Sequence, residues 1–258
     1  MNNHITQGIV LILASVTIMA FGDALAKLLS DSVSVWQIFL VRSLLALPLL
    51  AVFALFVRSS LHIESLGWVA LRGFLLLVTW LVYYASYPVL DLTIAAVILY
   101  TNPILTVLLA ALFLRERVSI RQWLGVFLGF LGVVLIIRPG SEGFTWFAIL
   151  PLMAALLYSI TMLLTRTKCQ NESPLVMAFS FHIGFVIAGA AGIAALSLLS
   201  LPQTRVETFP FLLDTWGELG PRGWMLLALM SVLAALFVIG VARAYQITPP
   251  PIVATFDY

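Results

Sequence analysis

Charge is what this sequence has least of. Lys, Arg, Asp and Glu together make up 9% of its 258 residues, against about 25% in ordinary soluble domains. With 62% hydrophobic residues and a mean hydropathy of +1.12, the chain has too few charged side chains to cover a water-facing surface, which excludes soluble enzymes and disordered proteins. A net charge of +2 gives no electrostatic footprint for a polyanion, so nucleic acid is excluded as a partner. The single cysteine, Cys169, forms no internal disulfide and reads as a small residue in a loop. His4, His62 and His182 are far apart in the chain, and no Cys/His cluster has metal-ligand spacing, so no metal is expected. No P-loop or other nucleotide motif occurs, and no cofactor is implied. The opening MNNHITQ has no Lys or Arg to flank a signal peptide, and the apolar stretch from Gly8 to Leu29 is too long for one, so it is read as a first span.

What is present is a series of long apolar runs, near 8–29, 35–57, 66–88, 93–114, 121–137, 144–166, 174–200 and 222–245, with a ninth starting near 250. The lipid bilayer is therefore the first partner, and the fold class is an all-α polytopic membrane protein. The ninth run contributes roughly ten residues before Tyr258, about half of a ~30 Å hydrocarbon core. The chain is accordingly expected to be C-terminally truncated. With the N-terminus cytoplasmic, the inner ends hold Arg58, Arg115, Arg117, Arg121, Arg166, Lys168 and Arg243, and the outer ones Lys27, Arg138, Arg205 and Arg222, which favours that orientation. Trp36, Trp68, Trp123, Trp146 and Trp224 fall at span ends as interfacial anchors.

The chain also repeats itself. A shift of 155 residues places Leu92-Thr93 on Ile247-Thr248, Val97-Ile98 on Ile252-Val253, and Asn102 on Asp257. Five spans per copy is an odd number, so the second copy runs with opposite orientation, as in many secondary transporters. This predicts an inverted repeat of two five-helix halves, residues 1–140 and an incomplete 141–258, with about nine of ten helices present.

Residues 91–140, DLTIAAVILYTNPILTVLLAALFLRERVSIRQWLGVFLGFLGVVLIIRPG, resemble part of the repeat of EamA-type transporters in the drug/metabolite transporter superfamily. The positions that carry the resemblance are Thr93, Ala96, Pro103, Glu116 and the glycines Gly125, Gly129 and Gly132, joined by Arg42 in QIFLVRSLL. Residues 248–251 depart from the pattern with Thr-Pro-Pro-Pro. The resemblance implies ten helices, cytoplasmic termini, a cell (inner) membrane location and a solute path between the halves worked by alternating access. It does not identify the solute.

Ionisable residues within spans are costly and usually face the bundle interior. Asp23 and Arg42 each lie roughly 8–11 Å below the outer face on antiparallel neighbours and are placed to pair, with Lys27 a competing partner. These three are expected either to form an outer gate or coupling cluster or to be a static ion pair. Arg72, roughly 9 Å above the inner face, reads as a snorkelling anchor or as a ligand for an anionic group. His182 occupies roughly the inverted position of Arg42 and is either a carrier of a coupling proton or a packing histidine. At mid-depth Tyr100, Thr101 and Asn102 precede Pro103, which disturbs the helix ladder and frees a carbonyl. Their repeat counterparts are Thr255, Phe256 and Asp257, so Asn102 and Asp257 are expected to converge as solute contacts, unless they only bind helices together. Tyr83 and Tyr84 supply aromatic walls, and Tyr87 either joins them or sits in the interfacial belt. The glycine ridge Gly125, Gly129, Gly132 serves packing within the bundle or a homodimer contact.

The sequence thus points to a secondary transporter for a small organic solute such as an amino acid or carboxylate, not to an enzyme. The alternatives are an intramembrane lipid-modifying enzyme, for which no HExxH, clustered carboxylates or histidine pair is present, and a channel-like facilitator, for which no ring-forming motif is present.

Overall fold

The computed structural model describes residues 2–58, 61–115, 118–137, 145–199 and 201–257. Among these, the secondary structure is helical throughout: α1 (Asn2–Leu29), α2 (Val35–Phe56), α3 (Leu66–Tyr84), α4 (Leu92–Leu99), α5 (Asn102–Phe113), α6 (Ile120–Ile137), α7 (Ile149–Lys168, preceded by a 3-10 turn), α8 (Pro174–Leu198), the short α9 (Gln203–Thr208) and α10 (Pro210–Leu213), α11 (Pro221–Ile247), and α12 (Pro250–Val253) running into a second 3-10 turn. Among the described residues, seven spans are long and apolar enough to cross a bilayer, Leu92–Phe113 counting as one. The chain is an all-α polytopic membrane protein. Glu116, Arg117 and Arg138 lie outside the described residues, as does the side chain of Arg121.

Local chemistry sets the helix limits. Ser34 Oγ accepts from Gln37 N and starts α2, and Ser173 Oγ accepts from Leu175 N and starts α8 ahead of Pro174. The third span ends at Tyr84, four residues short of the sequence expectation, because Pro88 disfavours helix before it and Ser86 Oγ turns back to Tyr83 O at 2.6 Å. Helix α4 stops at Leu99, and α5 restarts at Asn102 with Pro103 in its first turn, so the proline interrupts the span as expected.

The most extensive packing joins α1 to α11, α2 to α8 and α3 to α7, each a helix from before the chain's midpoint against one from after it. Close approach depends on small residues. A Cβ on Gly189 of α8 would lie 2.7 Å from both Leu40 N and Trp36 O of α2, and one on Gly73 of α3 would meet Ser180 Oγ of α8 at 2.6 Å. The expected ridge on α6 is not used this way: Gly125 and Gly132 have nothing within 4 Å of a Cβ position. Among the described residues α6 packs against α4 and α5 and exposes Leu124, Phe127, Leu128 and Phe130.

Loops close both ends. At the end where α1 gives way to α2, Phe211 of α10 is buried and stacks on Tyr87 at 6.1 Å. Gln37 exchanges two hydrogen bonds with Gly217, and Trp36 Nε1 donates to Leu212 O. At the opposite end the Glu172 carboxylate accepts from Glu64 N and Ser65 N, capping α3 from another part of the chain. Gln246 Nε2 donates to Cys169 O and Glu172 O, tying the α7–α8 loop to the end of α11.

Candidate functional site

Two buried polar clusters lie within the bundle. The first is built from α1, α2, α3, α8 and α11. Asp23 and Arg42 line a cavity of about 30 Å³ together with Trp80, Tyr84, Phe181 and Phe237. That is space for about one water molecule. The two charges are neighbours, as their depths predicted, yet no ion pair within 4.0 Å joins them. Arg42 instead lies over the rings of Phe185, 5.0 Å away, and Phe39, 5.8 Å away, leaving Nε and Nη2 buried without an acceptor. The guanidinium is thus held by aromatic faces with hydrogen-bonding capacity to spare.

Lys27 is not a partner of Asp23. Its Nζ donates to Tyr87 O at 2.7 Å and lies 5.6 Å from the Tyr87 ring. Tyr87 is 1% exposed and packs on Tyr84 and Tyr83, so it belongs to the interior and not to the interfacial belt. Tyr83 is also buried but stands behind Tyr84 and Trp80, and Tyr84 alone of the three tyrosines lines the cavity. His182 is buried on α8, with Nδ1 3.1 Å from Ser43 Oγ, the residue next to Arg42.

The second cluster lies where α5, α7, α11 and the end of α12 meet. Asp257 is 1% exposed, and its Oδ2 accepts from Tyr245 at 2.8 Å. Tyr158 stands beside the same carboxyl, and Thr106 beside Tyr245. Ser159 donates to Asn102 O at 2.9 Å, which satisfies the carbonyl at the break in the α4–α5 span. Asn102 Oδ1 is buried here without a hydrogen-bond partner among the described residues. Tyr100, at the end of α4, is half-buried within reach of the field of both Asp23 and Asp257. The expected counterparts Thr255 and Phe256 do not join. The Thr255 hydroxyl turns back to Pro251 O and Ile252 O, and Phe256 is exposed.

Arg72 does not snorkel. It is 0% exposed, and its Nε donates to Thr165 Oγ1 at 2.7 Å, with both terminal nitrogens buried and unpartnered. Its side chain turns inward because Thr165 on the paired helix α7 offers an acceptor within the bundle. Cys169 lies in the α7–α8 loop, as expected, and is buried there. Burial pushes its thiol up from the usual range, with Arg72 opposing and Glu172 adding to the shift.

Sequence reasoning missed Trp80, Phe181, Phe237, Tyr158, Tyr245 and Thr106. In an apolar span an aromatic residue carries no mark of which face it occupies, and none of the five helices involved has a strong apolar–polar periodicity to supply one.

The EamA-like transporter family model matches residues 6–138. The chain belongs to the EamA-like transporter family. It is similar to a riboflavin transporter of Vibrio cholerae, 27% identical over 205 residues that cover 78% of this chain and 62% of the relative. A riboflavin transporter of Rhizobium johnstonii is 35% identical over 95 residues, 37% of this chain and 30% of the relative. An S-adenosylmethionine uptake transporter of Rickettsia prowazekii is 23% identical over 174 residues, 67% of this chain and 59% of the relative. The matched stretches span less than two thirds of the length of each of these relatives.

Proposed function

We propose that this protein is a secondary transporter that moves a small organic metabolite carrying a planar heteroaromatic ring, by alternating access between the two halves of an inverted repeat. The observation that carries the reading is the Asp23–Arg42 cavity walled by Trp80, Tyr84, Phe181 and Phe237. Aromatic faces stack on a heteroaromatic ring, and free guanidinium nitrogens donate to its carbonyl or ring-nitrogen acceptors. Relatives named for riboflavin and for S-adenosylmethionine support the class, since both solutes contain such a ring. Asp23 and Arg42 act as the outer gate, changing partners as solute enters, and a cavity of about 30 Å³ implies that the bundle must open to admit it. The excess of Lys and Arg on one side supports a cytoplasmic N-terminus in the inner membrane.

The test is uptake by the full-length protein in proteoliposomes, with riboflavin, S-adenosylmethionine, amino acids and carboxylates offered with and without a pH gradient. Saturable uptake of a heteroaromatic solute, lost in Arg42→Ala, is expected. Uptake of aliphatic amino acids or carboxylates alone would overturn the solute class. Failure to move any solute, with turnover of a lipid, would overturn transport itself.

A further inference from the structure

We infer that the Asp23–Arg42 cavity reads a cyclic imide, the carbonyl–NH–carbonyl edge of a heteroaromatic ring, with Arg42 and Trp80 donating to the two carbonyls and Asp23 accepting from the N–H between them. The inference rests on the transport reading and narrows its solute class. Asp23 on α1, Arg42 on α2 and Trp80 on α3 line one cavity and are 6%, 5% and 5% exposed. The Tyr84 hydroxyl stands beside the Arg42 guanidinium, yet Arg42 Nε and Nη2 are buried without an acceptor among the described residues. These two nitrogens share one edge of the planar guanidinium and present their N–H groups in parallel, a fork that suits oxygen acceptors. Trp80 Nε1 can only donate, and it too is buried without an acceptor among the described residues. Unused donors from two helices thus share a cavity with one carboxylate from a third.

Charge decides what such a site accepts. A carboxylate or phosphate on the Arg42 fork would bring a second negative charge beside Asp23 in a buried place. A zwitterionic amino-acid group would be balanced, but both of its charges would have to shed their water. An imide carries no net charge, gives each free donor a carbonyl and gives the carboxylate an N–H, so no polar group is buried unpaired. The walls agree with this choice. Phe181 and Phe237 complete the lining with Trp80 and Tyr84, so face stacking and in-plane hydrogen bonds have to come from one rigid planar group, which a cyclic imide is. The rings of Phe185 and Phe39 hold the guanidinium, which orients the fork before solute arrives. The closed cavity, about 30 Å³, is too small for the ring itself, so the edge is read as the bundle opens.

The experiment alters the solute edge first and the protein second. Riboflavin, whose ring carries a cyclic imide, and its derivative methylated on the imide nitrogen are titrated into the purified full-length protein, with quenching of flavin fluorescence as the readout. S-adenosylmethionine and leucine serve as competitors. Wild type is expected to bind riboflavin at least about tenfold more tightly than the methylated flavin, which has no N–H for Asp23. Asp23→Ala removes the acceptor and leaves room for the methyl group, so the two flavins should then bind within about twofold of each other. Trp80→Phe keeps an aromatic wall and loses one donor, and is expected to weaken riboflavin about fivefold while the preference for the unmethylated ring persists. Equal binding of the two flavins by wild type would overturn the proposal whatever the variants do, as would tighter binding of S-adenosylmethionine or leucine than of riboflavin. If wild type shows the preference but moves no flavin in proteoliposomes, the transport reading fails while the imide site stands. If proteoliposomes take up both flavins equally, the imide site fails and the transport reading stands.

Discussion

Gln37 and Gly217 clasp one another at the end of the bundle where α2 begins, Gln37 Nε2 donating to Gly217 O at 3.0 Å and Gly217 N donating to Gln37 Oε1 at 2.8 Å. The clasp holds the segment that carries Phe211 onto Tyr87, directly above the aromatic residues that wall the Asp23–Arg42 cavity. Gln37→Ala removes both bonds, about 1–3 kcal/mol together, and should raise the population of the outward-open form by about tenfold or more. Labelling of a cysteine placed at Ile18, which lines the cavity, with Cys169 replaced by serine, measures this from the outer side. Unchanged labelling would remove the segment from the gate.

The lack of a direct ion pair between Asp23 and Arg42 gives a definite expectation for exchanging them. If their role were mutual neutralisation, Asp23→Arg with Arg42→Asp would restore transport. Because Arg42 is seated on Phe185 and Phe39, an aspartate there has no aromatic support and the exchanged pair should fold yet transport at least tenfold more slowly than wild type. A double-mutant cycle on transport and on thermal stability separates the two contributions.

Gly189 and Gly125 should respond oppositely to the same substitution. Gly189→Ala drives a Cβ to 2.7 Å from two backbone atoms of α2, which forces helices apart and should cost about 2 kcal/mol or more. Gly125→Ala meets nothing within 4 Å and should be neutral, or stabilising by up to about 1 kcal/mol through helix propensity. Thermal unfolding in detergent distinguishes them by the sign of the shift in Tm.

Cys169 should label slowly with N-ethylmaleimide at pH 7, because its thiol is buried and its pKa is raised. A raised pKa leaves less thiolate at neutral pH, so the rate should climb only as pH rises through and beyond the ordinary thiol range. Gln246→Ala frees the loop by removing the bonds to Cys169 O and Glu172 O and should speed labelling about tenfold. Fast labelling of wild type at pH 7 would mean that the inner end is open.

The apolar runs and the few charges among them decided a good deal. Membrane class, the span boundaries to within a few residues, the break at Pro103 and the neighbourhood of Asp23 and Arg42 were all legible, because bilayer thickness fixes helix length and depth follows from residue count. Rotation about each helix axis was not legible. In a bilayer both faces of a span are apolar, so the hydrophobic pattern that marks the inward face of a soluble helix is largely lost. Only tertiary packing turned Arg42 onto Phe185 instead of onto Asp23, drew Arg72 inward to Thr165, and gathered Tyr158 and Tyr245 around Asp257. The sequence by itself determined how deep each polar group lies; the direction it faces was decided by which helices meet, through the close approach at glycines such as Gly189 and the bonds of loops that cap both ends.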